Sequence, residues 1–174
     1  MTCILLFGNS GSGKSTLAKR LSERHRLAHL DLDTLAWLAT SPPQRSSLVD
    51  VKNKLDEFTQ MNEDWVIEGC YTDLLQLLSD KASEIIYLDV PVAECRANAE
   101  RRPWEPHKYD SKEAQDANLA MLLDWISAYE SRTDTFSRHA HQTFYQGFGG
   151  QKRRLTSNEM SQAFAGQFSA SVGQ

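Results

Sequence analysis

The sequence predicts an α/β protein in which helices cover both faces of a parallel sheet. Short apolar runs, typical of strands buried on both faces, alternate along the chain with amphipathic segments of helical periodicity. Alternation of this kind requires right-handed crossovers, which place helices on both sides of the sheet in a three-layer sandwich. The 174 residues show no internal repeat and no domain boundary. We therefore expect a single domain over residues 1–174.

Apolar runs predict five strands, and the runs between them predict helices. The strands are expected at residues 2–7, 27–33, 64–69, 84–90 and 151–156. The fifth has one strongly apolar residue, Leu155. Helices are expected at residues 14–26, 47–61, 71–82, 92–102, 112–146 (with a break near residues 131–135) and 158–168. Proline pairs and polar residues predict loops at residues 40–47 and 103–111.

The amino-acid composition limits which binding partners are expected. A net charge of −4 gives no general argument for binding nucleic acid or an anionic membrane, so neither partner is expected. The chain has no apolar run approaching the roughly 20 residues that span a bilayer, and Cys3–Phe7 is too short for a signal peptide. Three scattered cysteines are typical of reduced thiols, which predicts a cytoplasmic protein. The oligomeric state stays open.

The stretch GNSGSGKS at residues 8–15 matches the phosphate-binding pattern G-x-x-x-x-G-K-[ST] between a strand and a helix. Its glycines let backbone N–H groups approach phosphate oxygens, and the helix directs its positive end at the same anion. Lys14 supplies a cation for the β- and γ-phosphates, and Ser15 can ligate Mg²⁺. The motif predicts a P-loop NTPase that uses ATP and Mg²⁺. The predicted nucleotide-binding residues are Gly8, Asn9, Ser10, Gly11, Ser12, Gly13, Lys14, Ser15 and Thr16.

Acidic residues end the second and third predicted strands. Asp31 and Asp33 close one strand, and Glu68 precedes Gly69 at the end of the other. Ligands bind outside the carboxyl ends of strands in open α/β sheets, so these carboxylates should face the phosphate loop. We predict that Asp31 lies near the metal and that Asp33 is the acceptor-side general base, with Glu68 as the second candidate. The alternative is that these acids simply cap the following helices.

Four stretches together resemble the small P-loop kinases, a group that includes adenylate, gluconate and shikimate kinases. They are GNSGSGKSTLAKRL, HLDLDTLAW, DWVIEGCY and IIYLDVP, followed by an arginine-rich segment. The resemblance is nearest to the adenylate-kinase-like proteins labelled DNA topology modulation proteins. It covers the whole chain loosely and is specific only at the phosphate loop. It implies a five-stranded parallel sheet of order 2-3-1-4-5, an acceptor-binding region about residues 34–63 and a lid about residues 102–111.

The same resemblance implies roles for individual residues. Asp31 and Asp33 match the D-x-D of shikimate-kinase-like members, which serves Mg²⁺ and the acceptor. Arg102, before a proline, resembles a lid arginine and is our first choice for a catalytic arginine, ahead of Arg96 and Arg101. The spacing around Arg132 resembles that of an acceptor-binding arginine. The predicted catalytic residues are Lys14, Asp33 and Arg102; the predicted acceptor-binding residues are Asp33, Glu68, Gly69 and Arg132; the predicted metal ligands are Ser15 and Asp31.

Departures from the family pattern leave the acceptor unidentified. The third strand lacks the glycine cluster that lies against shikimate, and the D-G-x-P-R pattern of nucleoside monophosphate kinases lacks its proline and arginine. The sequence thus predicts an ATP-dependent small-molecule kinase that phosphorylates a hydroxyl or phosphate group. The alternatives are a nucleotide-gated regulatory ATPase related to DNA, for which QKRRLT is a local basic patch, and an oligomeric ATPase, whose usual extra helical domain this length does not accommodate.

Overall fold

A computed structural model describes residues 1–106 and 108–169. Five parallel strands form one sheet in the order β2-β5-β1-β6-β7. They are β1 (Cys3–Gly8), β2 (Ala28–Asp31), β5 (Trp65–Gly69), β6 (Glu84–Leu88) and β7 (Gln151–Leu155). Counted along the chain, these five strands lie in the order 2-3-1-4-5, so the predicted fold class is confirmed. A separate antiparallel hairpin joins β3 (Trp37–Leu38) to β4 (Gln44–Arg45).

The central strands are apolar because both of their faces are covered. Every residue of β1, β5 and β6 is buried, and Leu5 of β1 is in register with Ile67 on one side and Ile85 on the other. The edge strand β7 is different, since four of its five residues are exposed and Leu155 alone is buried. Its backbone nevertheless pairs with β6 along its whole length. Pairing with a buried neighbour therefore forms a strand that side-chain hydrophobicity alone barely indicates.

Helices fill the two outer layers. They are α1 (Lys14–His25), α2 (Asp33–Ala36), α3 (Leu48–Met61), α4 (Thr72–Gln76), α5 (Val92–Glu100), α6 (Lys112–Ser127), α7 (Arg138–Gly147) and α8 (Asn158–Gln167), with a 3₁₀ turn at Ala128–Glu130. Serines cap four of them through hydrogen bonds from the backbone N–H three residues later. These are Ser47, Ser111, Ser137 and Ser157. The cap at Ser137 starts α7 after the break that the sequence predicted.

Two apolar clusters hold the layers to the sheet. On one face, Leu55 of α3 and Phe144 of α7 pack with Phe7 and Tyr87. On the opposite face, residues of α1, α5, α6 and α8 pack against the other side of the sheet, and they include Leu17, Cys95, Ile126 and Ala165. Among the described residues, no helix combines the length and the apolar character that crossing a bilayer requires.

Three element boundaries differ from the prediction. Strand β2 ends at Asp31, and Asp33 lies in the first turn of the short helix α2. The N–H of Leu32 still donates to the carbonyl of Glu68 at 2.8 Å, but Leu32 has helical backbone angles, which end the strand and start α2. Helix α4 has five residues, where residues 71–82 were expected to be helical. The predicted loop at residues 40–47 contains β4, whose partner strand β3 supplies its hydrogen bonds.

Candidate active site

The chain between β1 and α1 folds into a loop that only glycine can form at two positions. Gly11 has φ of 76°, and a Cβ there would lie 2.3 Å from the carbonyl oxygen of Cys95. Gly8 has φ of 155°, and its Cβ would lie 2.4 Å from the carbonyl oxygen of Leu88. Both distances are far below van der Waals contact, so the pattern of glycines reflects packing of the loop against α5 and β6 as well as its conformation.

Helix α1 begins directly behind this loop and presents its N-terminus to a cavity. Gly13 precedes it in the left-handed conformation and supplies no side-chain cap. The first N–H groups of the helix therefore remain available to an anion, and the helix dipole favours negative charge there. The ammonium of Lys14 donates to the carbonyl of Asn9 at 2.8 Å, which holds the side chain across the loop. The arrangement provides a phosphate-binding site.

The cavity has a volume of about 530 Å³ and lies at the carboxyl ends of the strands. It brings together most of the residues that the sequence singled out. Those lining it are Ser10, Gly11, Gly13, Lys14, Ser15, Thr16, Asp31, Asp33, Glu68, Gly69 and Arg102. Asn9 and Ser12 are predicted nucleotide-binding residues whose side chains are buried instead, and the amide of Asn9 donates to the carbonyl of Ile126 at 3.1 Å. Their side chains shape the loop, which leaves only their backbones for phosphate.

Arg132 is not among the residues that line the cavity. Its guanidinium lies 3.7 Å from the ring centroid of Trp125 and forms an ion pair of 2.7 Å with Asp134. This placement does not support the acceptor-binding role that the resemblance implied. The spacing that suggested that role could not show that the chain itself provides an aromatic face and a carboxylate for this arginine.

Two carboxylates at the end of β2 have opposite electrostatic environments. Burial, together with the charges of Glu68 and Asp33, raises the pKa of Asp31 to about 6. Partial burial would raise the pKa of Asp33 too, but the ammonium of Lys108 and a hydrogen bond from Tyr71 hold it below its ordinary value. Asp31 also accepts a 2.9 Å hydrogen bond from the N–H of Asp33, so its Oδ1 orders the start of α2. One oxygen of Asp31 therefore binds the first turn of the following helix, as expected if the acids at the strand ends cap helices.

Glu68, at the end of β5, is buried without a hydrogen-bond partner for Oε1. The residue is 1% exposed and lines the cavity. The nearest cationic candidate is Nε2 of His29, at 3.7 Å, which exceeds hydrogen-bond distance. A buried carboxylate oxygen without a partner is costly, so native proteins rarely retain one unless a ligand or water meets it. Oε1 itself is enclosed on the side of His29, which does not line the cavity, so the other oxygen of Glu68 is the one open to a donor or a cation there.

Lys108 is the main residue of the site that the sequence did not reveal. Its ammonium lies 3.2 Å from Oδ2 of Asp33 and 3.5 Å from Oδ2 of Asp31. Burial would lower its pKa, but Asp33, Asp31 and Glu105 together hold the pKa of Lys108 above its ordinary value. In the sequence it is one charged residue in a polar loop, with no periodicity or motif to mark it. Only the loop's path across the cavity brings it to the carboxylates.

Arg102, Glu105 and Tyr109, which belong to the segment predicted to be a lid, also line the cavity. Arg102 forms a 3.2 Å ion pair with Glu105. Trp104 is 46% exposed, and its Nε1 donates to the carbonyl of Tyr109. On the nucleotide side, Asn158 was also missed, and its Oδ1 is buried without a hydrogen-bond partner. Such residues carry no signal in a single sequence because they come from α8 and from loops far from the motif.

The donors at the cavity suit a hard divalent cation. The Ser15 hydroxyl and the Asp31 carboxylate offer oxygen ligands, and the Glu68 carboxylate lines the same cavity. Within the described part of the chain, no three His, Cys, Asp or Glu side chains converge as a ready-made metal site. Mg²⁺ is commonly held by one or two protein ligands together with water and substrate phosphates, and the residues present fit that mode.

Comparison with known proteins assigns the chain to a family. The AAA domain family AAA_18 matches residues 4–118, which contain the phosphate loop and the carboxylates. The chain belongs to this family. It is 26% identical over 145 residues to the uncharacterized protein YqaC of Bacillus subtilis, which corresponds to 80% of this chain and 79% of that protein.

Two solved structures share the fold. A sugar kinase from Janibacter sp. superposes with a TM-score of 0.54 at 12% identity, covering 96% of this chain and 92% of that one. A shikimate kinase from Bacteroides thetaiotaomicron superposes with a TM-score of 0.54 at 14% identity, covering 95% of each chain. At such identities the likeness shows the architecture alone. This AAA_18 protein therefore has the fold of the small P-loop kinases, in agreement with the resemblance of its motifs.

Proposed function

We propose that this protein is an ATP-dependent phosphotransferase that transfers the γ-phosphoryl group to a hydroxyl or phosphate group of a small acceptor. One observation carries the proposal. The phosphate loop with Lys14 and the carboxylates Asp31, Asp33 and Glu68 line the same cavity, a space of about 530 Å³. That volume lies within the range of small-molecule sites. A protein that only binds nucleotide with Mg²⁺ needs a carboxylate near the metal, whereas this cavity offers three.

On the nucleotide side, each group has a distinct role. The N-terminus of α1 and the loop backbone bind the phosphates, and Lys14 leaves the carbonyl of Asn9 to contact the β- and γ-phosphates. Ser15 and Asp31 would hold Mg²⁺, which neutralises charge on the phosphate oxygens when bound. Arg102, at the mouth of the cavity, would bring its planar guanidinium onto the transferred group.

On the acceptor side, Asp33 orients the attacking group. Because Tyr71 and Lys108 hold its pKa low, Asp33 stays ionised and accepts a hydrogen bond from the acceptor hydroxyl. Phosphoryl transfer through a loose transition state depends mainly on positioning, so a weak base is sufficient there. Residues 34–63 would contribute the rest of the acceptor site, and residues 102–111 would act as a lid that excludes water.

The DNA-related alternative has less support. The basic run in β7 is engaged within the chain: Arg153 pairs with Glu84, Arg154 pairs with Asp89, and the ammonium of Lys152 donates to backbone carbonyls at the end of α7. The two arginines are thus paired with carboxylates and the lysine is held by carbonyl oxygens, so all three are poorly placed to bind phosphate groups of nucleic acid. The patch that suggested DNA therefore has a structural role.

ADP release tests the proposal. The protein is mixed with Mg²⁺–ATP and a panel of sugars, nucleosides, nucleoside monophosphates and amino alcohols. We expect at least one acceptor to raise the rate of ADP release, and Asp33→Asn to abolish that increase while ATP affinity changes little. Asp116→Asn, which alters an exposed carboxylate paired with Lys112 on α6, is the matched control. Slow turnover that no acceptor stimulates would instead support a nucleotide-gated ATPase.

A further inference from the structure

Three carboxylates line the proposed acceptor end of the cavity, whose full lining also includes Arg20, Arg101 and Arg102. Asp31, Asp33 and Glu68 all line it, and Asp31 and Asp33 share a single ammonium, that of Lys108. Arg45 and Arg132, which could have bound an anion, form ion pairs with Asp73 and Asp134 and do not line the cavity. A carboxylate or phosphate placed beside three carboxylates would be repelled.

The site already holds a primary ammonium in good geometry. The nitrogen of Lys108 lies 3.2 Å and 3.5 Å from oxygens of Asp33 and Asp31, distances that suit an ammonium and are far longer than the roughly 2.1 Å of Mg²⁺–oxygen bonds. A hydrogen bond of 2.6 Å from the Tyr71 hydroxyl to the other oxygen of Asp33 also fixes the position of this carboxylate. The carboxylate positions are therefore set by the fold and by Tyr71 as well as by the lysine.

Glu68 supplies a second, independent sign of a ligand. Its side chain is almost fully buried and lines the cavity, and among the described residues no group donates a hydrogen bond to its carboxylate, although Lys108 is already seated on the two aspartates. Lys108 thus pairs with Asp31 and Asp33 and leaves Glu68 without a partner of its own. A ligand with an ammonium and further donors would satisfy both the aspartates and Glu68.

We propose that the acceptor carries a protonated primary amine, as an amino sugar or amino alcohol does, and that this amine replaces the Lys108 ammonium beside Asp33 and Asp31. The proposal rests on the proposed function and names its substrate class. The lid lysine holds the acceptor position until the amine displaces it. A hydroxyl on the same molecule also donates a hydrogen bond to Asp33, whose carboxylate can accept several, and faces the phosphate loop. Glu68 accepts a further hydrogen bond from the acceptor.

A binding experiment tests the amine site without relying on turnover. Lys108→Ala empties the position, and its Tm is followed with increasing propylammonium chloride, against 1-propanol and against sodium chloride at equal ionic strength. We expect a saturable rise of about 3 °C with propylammonium at tenfold its Kd. The rise should be absent in Lys108→Ala/Asp33→Asn. It should require a higher concentration of propylammonium in Lys112→Ala, which removes an exposed lysine that starts α6 and leaves Lys108 in place to compete. An equal effect of propanol, an equal effect of sodium chloride, or no saturable effect of propylammonium would overturn the proposal.

Matched acceptors then separate this proposal from the proposed function. ADP release is compared for pairs that differ only in the amine, such as glucosamine against glucose and N-acetylglucosamine, and ethanolamine against ethylene glycol. We expect the amine member of a pair to be used with at least a tenfold higher kcat/KM. If a neutral or anionic acceptor is preferred, the protein is a kinase and the amine proposal is wrong. If propylammonium binds as expected but no acceptor stimulates ADP release, the cation site stands and the kinase proposal fails.

Discussion

The hydroxyl of Tyr71 donates a hydrogen bond of 2.6 Å to Asp33 and accepts one of 2.8 Å from Nε1 of Trp37. It therefore connects the end of β5 with the start of α2 and with the β3–β4 hairpin. Burial and the neighbouring charge of Asp33 raise the pKa of Tyr71, so the hydroxyl remains a donor throughout the physiological range. The orientation of Asp33, the carboxylate proposed to bind the acceptor, therefore depends on the Tyr71 hydroxyl.

Tyr71→Phe should impair acceptor use more than nucleotide binding. A hydrogen bond to a charged group contributes about 1.5–3 kcal/mol, so we expect kcat/KM for the acceptor to fall by roughly 10- to 100-fold. The ring still packs against Phe136, so the fold should persist. Steady-state kinetics with varied acceptor provide the measurement. Tyr145→Phe, which alters a tyrosine of α7 outside the cavity, should have no effect on kcat/KM, and an equal loss there would contradict the assignment.

Gly11→Ala should destabilise the protein, because its φ of 76° is unfavourable for alanine and the new Cβ would meet the carbonyl of Cys95. Strain of this kind costs about 1–3 kcal/mol before the contact with Cys95 is included. Gly166→Ala, where no atom lies within 4 Å of the new Cβ in α8, should instead raise the free energy of unfolding by about 0.5–1 kcal/mol. Urea unfolding of both variants measures the difference. Equal effects would show that the loop can relax.

Lys14→Ala should abolish phosphoryl transfer and leave the fold intact, since the Lys14 ammonium donates to a carbonyl of its own loop and faces the cavity rather than the core. We expect ADP release to fall by about 10³-fold or more, the scale of losing a preorganised cation at the transition state. Lys19→Ala, on the exposed side of the same helix, is the control and should behave like the parent protein. Normal turnover in Lys14→Ala would remove the basis of the site assignment.

Arg102→Ala should lower turnover more than it weakens ATP binding, because the guanidinium is expected to act on the transferred phosphoryl group. Arg102→Lys keeps the charge and loses the planar fork, so we expect it to recover only part of the rate. Limited trypsin digestion checks the lid separately. ATP analogue with acceptor should protect Arg101 and Lys108 from cleavage, while Pro103 blocks cleavage after Arg102. Cleavage that ligands do not change would argue against a lid at residues 102–111.

His141 predicts how stability depends on pH. Its Nε2–H donates to the carbonyl of Cys70 at 2.9 Å, and Nδ1 accepts from Tyr129 at 2.8 Å, so the neutral ring is satisfied. Burial lowers its pKa to about 4, against an ordinary value of about 6.5. The unfolded chain therefore binds this proton more readily than the folded one does. The contribution of neutral His141 to stability is therefore fully present above pH 6.5 and is lost as the pH falls toward 4.

This loss amounts to about 3 kcal/mol, the free-energy equivalent of the difference between the two pKa values. Urea unfolding between pH 4 and 7 measures it. The contribution of His141 is read as the difference between the parent protein and His141→Gln at each pH, because the raised pKa of Asp31 acts in the opposite direction over the same range. His139→Gln, at an exposed position of the same helix, should leave the dependence unchanged. The same slope in His141→Gln and in the parent protein would assign the titration to another group.

The phosphate loop was predictable because its chemistry is local. Residues 8–15 are contiguous, and the conformation that cradles phosphate demands glycine at positions such as Gly11 whatever surrounds it. The acidic strand ends were predictable for a related reason, since the carboxyl ends of parallel strands share one edge of the sheet. Arg132 shows the limit, because its spacing was correctly noted but its actual partners, Trp125 and Asp134, satisfy it away from the cavity.

The sequence by itself determined the sheet, the phosphate loop and the carboxylates at the strand ends, and the resemblance gave the strand order. These features depend on apolar periodicity and on backbone conformation, which are properties of residues close together in the chain. Only the tertiary structure decided which ion pairs and hydrogen bonds complete the site. Lys108 reaches Asp33 across 75 positions and Tyr71 reaches it across 38. The charge that each group carries depends on these distant partners and on burial, and neither is a property of any stretch of sequence.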